Sequence, residues 1–465
     1  MLNTTIAAVS TPRGKGGIAV IRISGTDAFT VADAMFKPKF GESSVSAHPM
    51  RKAVFGSVLD ESGEVCDEGI CTLFKGPGSF TGEDMAEISC HGGLSVTEAV
   101  YLSAIAHGAS AAGPGEFTKR AFINGKLDLT EAEAVGKLID ADTRERMLLA
   151  GSALRGSVSG EISAISASLL DTMTALYAAI DYPEEDVGDE GEREIAGTLR
   201  TAQNRVEKLL STYRTGRAIS DGVKCVICGR PNVGKSSVFN LITGEDSAIV
   251  TSVAGTTRDI LRETVSFGGI TLRLSDTAGI HATDDLVEKI GIDRASAEIG
   301  KSELVISVFD GGEGLRDEDR TLLELVKTTD VPKIGVINKS DLGVALSEEE
   351  LALIRESSDA CVVISAQRNG EEDRRALSDA VAVQFGSDKI SLTADAVIWD
   401  VRQREILSHA KASLESAVEG IEMGAPIDAV CTYAEEALAA LNETDGRTME
   451  GTIVDEIFKR FCVGK

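Results

Sequence analysis

Residues Gly229–Ser236 read "GRPNVGKS", between the apolar run "VKCVIC" and the helical pattern "SVFNLI". The stretch matches G-x-x-x-x-G-K-[ST] in the strand-then-helix setting that the motif's mechanism needs. Small residues let backbone N–H groups wrap phosphate oxygens, Lys235 adds positive charge, and Ser236 opens a helix where its hydroxyl can ligate Mg²⁺. Asn232, Val233, Gly234 and Ser237 complete the loop. A Gly-rich turn that matched by chance would lack that setting.

Outward from the loop, strand-like runs "KCVIC", "ITLRLSD", "ELVISVFD", "KIGVINK" and "ACVVIS" alternate with turns and helical segments from about Val223 to Phe385. This alternation predicts a mostly parallel sheet covered by helices. "NKSD" (Asn338, Lys339, Ser340, Asp341) follows the fourth run. A carboxylate at Asp341 can accept hydrogen bonds from the N1–H and 2-amino group of guanine, which adenine does not offer, so the expected nucleotide is GTP. Ser365, Ala366 and Gln367 follow the fifth run, where such domains close over the base's other edge. In "GTTRD", Thr257 is the candidate second protein ligand for Mg²⁺, with its backbone reaching the γ-phosphate. "DTAG" (Asp276, Thr277, Ala278, Gly279) is followed by Ile280, where many nucleotide switches carry a water-orienting Gln. An aliphatic side chain cannot orient water, so either no nucleotide is hydrolysed or another group does that work.

At 465 residues the chain should hold two to four domains. Its net charge of −27 argues against a broad surface for coating nucleic acid, which would need Lys and Arg against the phosphates. The first residues lack a signal-peptide layout, and no run nears the roughly 18 apolar residues of a membrane span, so a cytoplasmic protein is expected. Eight scattered cysteines do not form a disulfide framework, and Cys225 and Cys228 of "VKCVICG" read as buried strand positions on opposite faces. The first 120 or so residues carry short β-type runs. From Leu127 to Ile180 few helix breakers occur, and Leu169, Met173, Leu176 and Ile180 recur along one helical seam. A second helix should follow the break at Pro183 and run through Arg217. Helical patterning resumes after Ser387. Helix before and helix after predict a helical domain with the α/β domain inserted into it.

"TPRGKGGIAVIRISG", "FTGEDMAEISCHGG", "GPGEFTKRAFINGKLDLTEAEAV", "DYPEED", the nucleotide motifs and the terminal "FCVGK" closely resemble the MnmE (TrmE) family of bacterial tRNA-modification GTPases, over the whole length. The resemblance implies a multidomain α/β and α protein. An N-terminal α+β tetrahydrofolate-binding and dimerisation domain would span 1–120, a discontinuous helical domain 121–218 and 386–465, and a Ras-like P-loop GTPase domain 219–385. It further implies K⁺ held by Asn232 and by the loop of Thr251, Ser252, Val253, Ala254, Gly255, Thr256 and Thr257, with Thr251, Val253 and Thr256 offering oxygens. A cation there would offset transition-state charge, a task worth roughly 10³–10⁵ in rate when an arginine finger performs it. Glu288 matches the family's water-orienting Glu; without the family it reads as a solvated helix-face acid. Where the family often has Arg after the Ile280 position, this chain has His281.

Arg22, Glu87, Lys126 and Lys465 match the family's site for 5-formyl- or 5,10-methylene-tetrahydrofolate. A carboxylate suits the pterin's amide-and-amino edge, and cations suit the glutamate tail. The plain readings are a snorkelling surface Arg22 and a loop charge at Lys126. Cys462 matches a terminal Cys considered for the modification chemistry, yet it also lies on an apolar helical stripe with Ile457, Phe458 and Phe461, where Cys serves as a small apolar residue. The implied partners are a second copy, a flavoprotein of the MnmG (GidA) type carrying FAD, and tRNA, with carbon 5 of the wobble uridine as the reacting centre. The competing reading is a ribosome-assembly or RNA-binding GTPase switch without covalent RNA chemistry. A KH-type RNA module would need a basic G-x-x-G loop, whereas the residues after Gly386 contain none and hold 8 Lys/Arg against 15 Asp/Glu.

Overall fold

In the first sheet, alternation decides which side chains face the core. Its strands are β1 (Ile6–Val9), β2 (Ile18–Ser24), β3 (Phe36–Pro38), β4 (Val54–Leu59), β5 (Val65–Phe74), β6 (Met85–His91) and β7 (Ser110–Ala111), in the order β3-β4-β5-β6-β2-β1-β7. Neighbours run antiparallel apart from β1 and β7. Ala19, Ile21 and Ile23 of β2 and Ala86, Ile88 and Cys90 of β6 are buried, against Val31 and Met35 of the helix Ala28–Met35 and Val100 and Ala104 of the helix Leu94–Ala106. The period of two therefore sends Arg22 and Glu87 to the opposite face. There the register sets them directly across from each other.

The computed structural model describes residues 4–181, 188–244, 262–275, 298–444, 446, 457–459, 461, 463 and 464. The chain divides into two compact units, Met1–Ile139 with Leu438–Lys465, and Asp140–Ala437. In the first unit the end of the chain returns to its beginning. Val463 bridges Pro114, and Ser10 Oγ donates to the Gly464 carbonyl at 2.9 Å. Phe458, 1% exposed, packs with Phe122 and Phe461 at centroid distances of 6.2 and 5.1 Å, over Leu129 and Ala132.

The second unit joins long helices to a six-stranded sheet. The stretch expected to be helical from Leu127 is three helices, Leu129–Ile139 in the first unit, then Arg144–Leu154 and Ser157–Asp181 in this one. Thr143 caps the second by accepting the Arg146 N–H, and Gly156, at φ 79°, separates the second from the third. Along the expected seam Leu169, Met173 and Leu176 are buried, whereas Ile180 is 39% exposed. The helix Gly188–Ser220 packs along Val401–Glu422, with Leu199, Val206 and Leu209 on one and Leu407, Ala410 and Leu414 on the other buried at helical spacing.

The second sheet consists of β8 (Val223–Cys228), β9 (Arg262–Phe267), β10 (Ile270–Ser275), β11 (Leu304–Asp310), β12 (Lys333–Asn338) and β13 (Ala360–Val363), ordered β13-β12-β11-β8-β10-β9. All pairings are parallel except β9 with β10. The five expected runs are the parallel strands; β9, from the more polar "RETVSF", has no counterpart among them. All seven residues of β11 are buried, as a strand covered on both faces requires. Cys225 and Cys228 are buried in β8, and burial pushes the Cys228 thiol up to about 12, which leaves it protonated and unreactive. No helix among the described residues is long and apolar enough to cross a membrane.

Phe458→Ala would empty the aromatic cluster that seats the chain's end. The expected loss is about 3–5 kcal/mol for the first unit, read from the midpoint of urea unfolding by circular dichroism. A loss under about 1 kcal/mol would mean that this end of the chain is no part of the core.

Candidate functional site

β8 delivers the chain into a loop that only an unusual backbone can follow. Asn232 and Gly234 have φ of 65° and 97°, and the helix Lys235–Thr243 starts immediately afterwards. Its first N–H groups have no intrahelical acceptor and carry the positive end of the helix dipole, which makes this turn suited to an anion. A Cβ on Gly234 would lie 2.2 Å from Asn338 Nδ2, so glycine is required on steric grounds as well. Lys235 Nζ donates to the carbonyls of Gly229 and Arg230, both at 2.9 Å, while burial lowers its pKa. Ser236 is exposed in the first turn.

Asn338 ends β12 and joins three loops. It is 2% exposed, its Nδ2 donates to the Val233 carbonyl at 2.9 Å, and its Oδ1 accepts the Ala366 N–H at 2.9 Å. Lys339 follows at φ 62°, which turns the chain so that Asp341 meets the loop after β13. There the buried Ser365 hydroxyl donates to Asp341 Oδ1 at 2.6 Å. That hydrogen bond first, then the positive charges of Arg368 and Lys339, holds the Asp341 carboxyl below its ordinary value. An ionised, exposed carboxylate fixed in one orientation is the acceptor that a guanine edge needs.

Three separate stretches of sequence are thus one site: Asn232–Ser237, Asn338–Asp341 and Ser365–Gln367. Thr251–Thr257, Asp276–Gly279, Ile280, His281, Glu288, Cys462 and Lys465 lie outside the described residues. Two participants went unmarked in the sequence. Arg230, with its side chain 6% exposed, donates from Nε to Asp319 Oδ2 and from its terminal nitrogen to Glu313 Oε2, each at 3.0 Å. It occupies a position where the loop motif accepts any residue, so no local signal singles it out. Asp310 closes the same cluster.

In the first unit, Arg22 and Glu87 are bonded to each other, from Nε at 2.9 Å and from the terminal nitrogen at 2.7 Å. Cross-strand pairing thus does more for Arg22 than snorkelling would. The guanidinium also lies 5.6 and 5.7 Å from the ring centroids of Phe80 and Phe117. The alkyl chain of Lys126 runs beside Gly82 and lines a cavity of about 420 Å³ with Phe122, Asp128 and Glu131. Arg22 and Glu87 are not part of that lining. Phe117 is fully buried, whereas Phe80 is exposed, so a cation, a carboxylate and one exposed aromatic ring are what this face offers to a flat, polar-edged ligand.

Comparison with known proteins places the chain in one family. A family model described as GTP-binding protein TrmE N-terminus matches residues 5–126, and one described as MnmE helical domain matches residues 129–462. A tRNA modification GTPase MnmE of Lactobacillus johnsonii is 39% identical over 462 residues, covering 99% of this chain and 98% of the relative. Those of Symbiobacterium thermophilum and Bacillus licheniformis are 39% and 38% identical, each over 99% of this chain and 99% and 100% of their own lengths. With both family models and relatives matched from end to end, the chain belongs to the MnmE family.

Proposed function

We infer that this chain hydrolyses GTP and takes part in modifying carbon 5 of the tRNA wobble uridine. The observation that carries the reading is Asn338, whose amide holds the phosphate loop and the base-reading loops in one frame. In the same frame Asp341 selects guanine and Lys235 faces the phosphates. Ser236 with Thr257 would hold Mg²⁺, and Asn232 with Thr251, Val253 and Thr256 would hold K⁺, both supplying positive charge where the transferred phosphoryl group develops negative charge. The loop's residues fit that use: the left-handed turn at Asn232 and Gly234 leads into the N-terminus of the helix Lys235–Thr243, and Asn232 and Ser236 are exposed. Glu288 orients the attacking water in this reading, in place of the Gln that Ile280 replaces.

The reading extends to 1–120 as a tetrahydrofolate-binding and dimerisation domain, 121–218 and 386–465 as a helical domain, and 219–385 as the inserted GTPase domain. Arg22, Glu87, Lys126 and Lys465 would bind the 5-formyl- or 5,10-methylene-tetrahydrofolate that supplies one carbon. Arg22 already reaches Glu87 Oε1 from two nitrogens, so a pterin edge would share Glu87 with Arg22. Cys462 is a candidate for the modification chemistry itself. A homodimer working with an FAD-carrying partner of the MnmG type would divide the labour, and the net charge of −27 favours a partner that holds most of the tRNA phosphates.

Three measurements test this. In cells lacking the gene, digested tRNA should lose its carbon-5-modified wobble uridines; an unchanged nucleoside profile would favour the binding switch without RNA chemistry. GTP turnover should be much faster in K⁺ than in Na⁺, and equal rates would remove the role assigned to Asn232 and the Thr251–Thr257 loop. Gly234→Ala should weaken guanine-nucleotide binding by at least about a hundredfold, since the added methyl must displace Asn338 and strain the left-handed backbone. Near-normal binding in titration calorimetry would show that the Asn338 bridge is dispensable.

A further inference from the structure

Asp310 is the last residue of β11 and is 6% exposed. Its Oδ2 accepts a 2.6 Å hydrogen bond from Lys339 Nζ and lies 3.9 Å from a terminal nitrogen of Arg230. Its Oδ1 accepts the Gly312 N–H at 3.0 Å, so the carboxylate is fixed at both oxygens. The backbone is fixed as well: Asp310 faces Asn338 in the β11–β12 register, and the Gly311 N–H donates to the Asn338 carbonyl at 2.7 Å. One buried carboxylate therefore meets a cation from the phosphate loop and a cation from the base-reading loop.

The two cations depend on it unequally. Arg230 has Asp319 and Glu313 besides. Among the described residues, Asp310 is the acid that pairs with Lys339. A charge-assisted bond of 2.6 Å to a buried carboxylate holds the partly exposed ammonium in one place, and the stem of Lys339 with it. Since Lys339 adjoins Asp341 by one residue, any drift of its side chain is felt at the guanine edge.

We propose that Asp310 is a positioning residue for guanine-nucleotide binding, which sets the spacing between base-reading and phosphate loops by holding Lys339 and Arg230 on one carboxylate. The proposal rests on the GTPase reading above. It is distinct from the motif residues themselves, because Asp310 acts through their neighbours.

Asp310→Asn preserves the shape and the acceptor for Gly312 while removing the charge. In the full-length chain, titration with a fluorescent GDP analogue should give a Kd raised at least about tenfold. The KM for GTP should rise with little change in kcat. In a Lys339→Met background the same substitution should add less than about threefold, because its main route is already cut. Wild-type affinity in Asp310→Asn, a fall in kcat at unchanged KM, or losses that multiply in the double variant would each overturn the proposal. Should circular dichroism show Asp310→Asn unfolded, Asp310→Glu keeps the charge but shifts it by one methylene. A Kd several-fold above wild type then supports the spacing role, and an unchanged Kd overturns it. Wild-type protein that fails to prefer GDP over ADP would instead refute the GTPase reading, a result separable from any of these.

Discussion

One carboxamide constrains the nucleotide site more than any other group. Asn338 is buried, and its two ends satisfy a carbonyl at Val233 and an N–H at Ala366. Removing it leaves both backbone groups buried without a partner, at about 1–3 kcal/mol each, so the three loops cannot keep this arrangement without an amide at that point. The same contact dictates the residue opposite. With Asn338 Nδ2 2.2 Å from where a Cβ would stand, position 234 accepts only glycine, whatever its role toward phosphate. Catalytic geometry and packing thus impose the same residue for different reasons.

The sheet explains why Asn338 can serve in this way. β12 lies between β11 and β13, pinned on both sides by parallel pairing, and Asn338 is its final residue. A side chain at the carboxyl end of a doubly flanked strand has little freedom to move. Crevices beyond the carboxyl ends of parallel strands are where such folds bind ligands, and the loops after β8, β12 and β13 all open there. In the first unit the logic differs. Arg22 and Glu87 sit mid-strand on the face opposite the helices Ala28–Met35 and Leu94–Ala106, positioned by register rather than by a loop.

Features with a local signal were legible in the sequence. The loop at Gly229–Ser236, the five parallel strands and the buried seam at Leu169, Met173 and Leu176 each follow from period or motif. Arg22 and Glu87 were chosen through resemblance, and alternation alone would have put each on an outer face without saying that they meet. Arg230 and Asp310 were not legible, because their role comes from ion pairs across 89 positions, from Arg230 to Asp319, and 29 positions, from Asp310 to Lys339. The seating of Val463 against Pro114 is likewise non-local and leaves no trace in either stretch. β9 was passed over for another reason: as an edge strand it buries only part of its length and needs fewer apolar residues.

Asn232 carries a separate clue to the chemistry. Its φ of 65° places a residue with a Cβ where glycine is at ease, and such a backbone costs of order 1 kcal/mol for most side chains, less for Asn. Glycine at that position would relieve the strain and keep the turn. The side chain is exposed, so core packing does not account for it. Nor does the P-loop mechanism ask for an amide there, since its needs are met by backbone N–H groups, Lys235 and Ser236. An exposed amide beside an anion-binding turn contributes little to folding, and it offers a carbonyl oxygen to a cation and two N–H donors to a phosphate oxygen. In the K⁺ reading proposed above, Asn232 would bear on the problem posed by Ile280: a cation held at the phosphates would replace part of what a switch Gln and an arginine finger supply elsewhere.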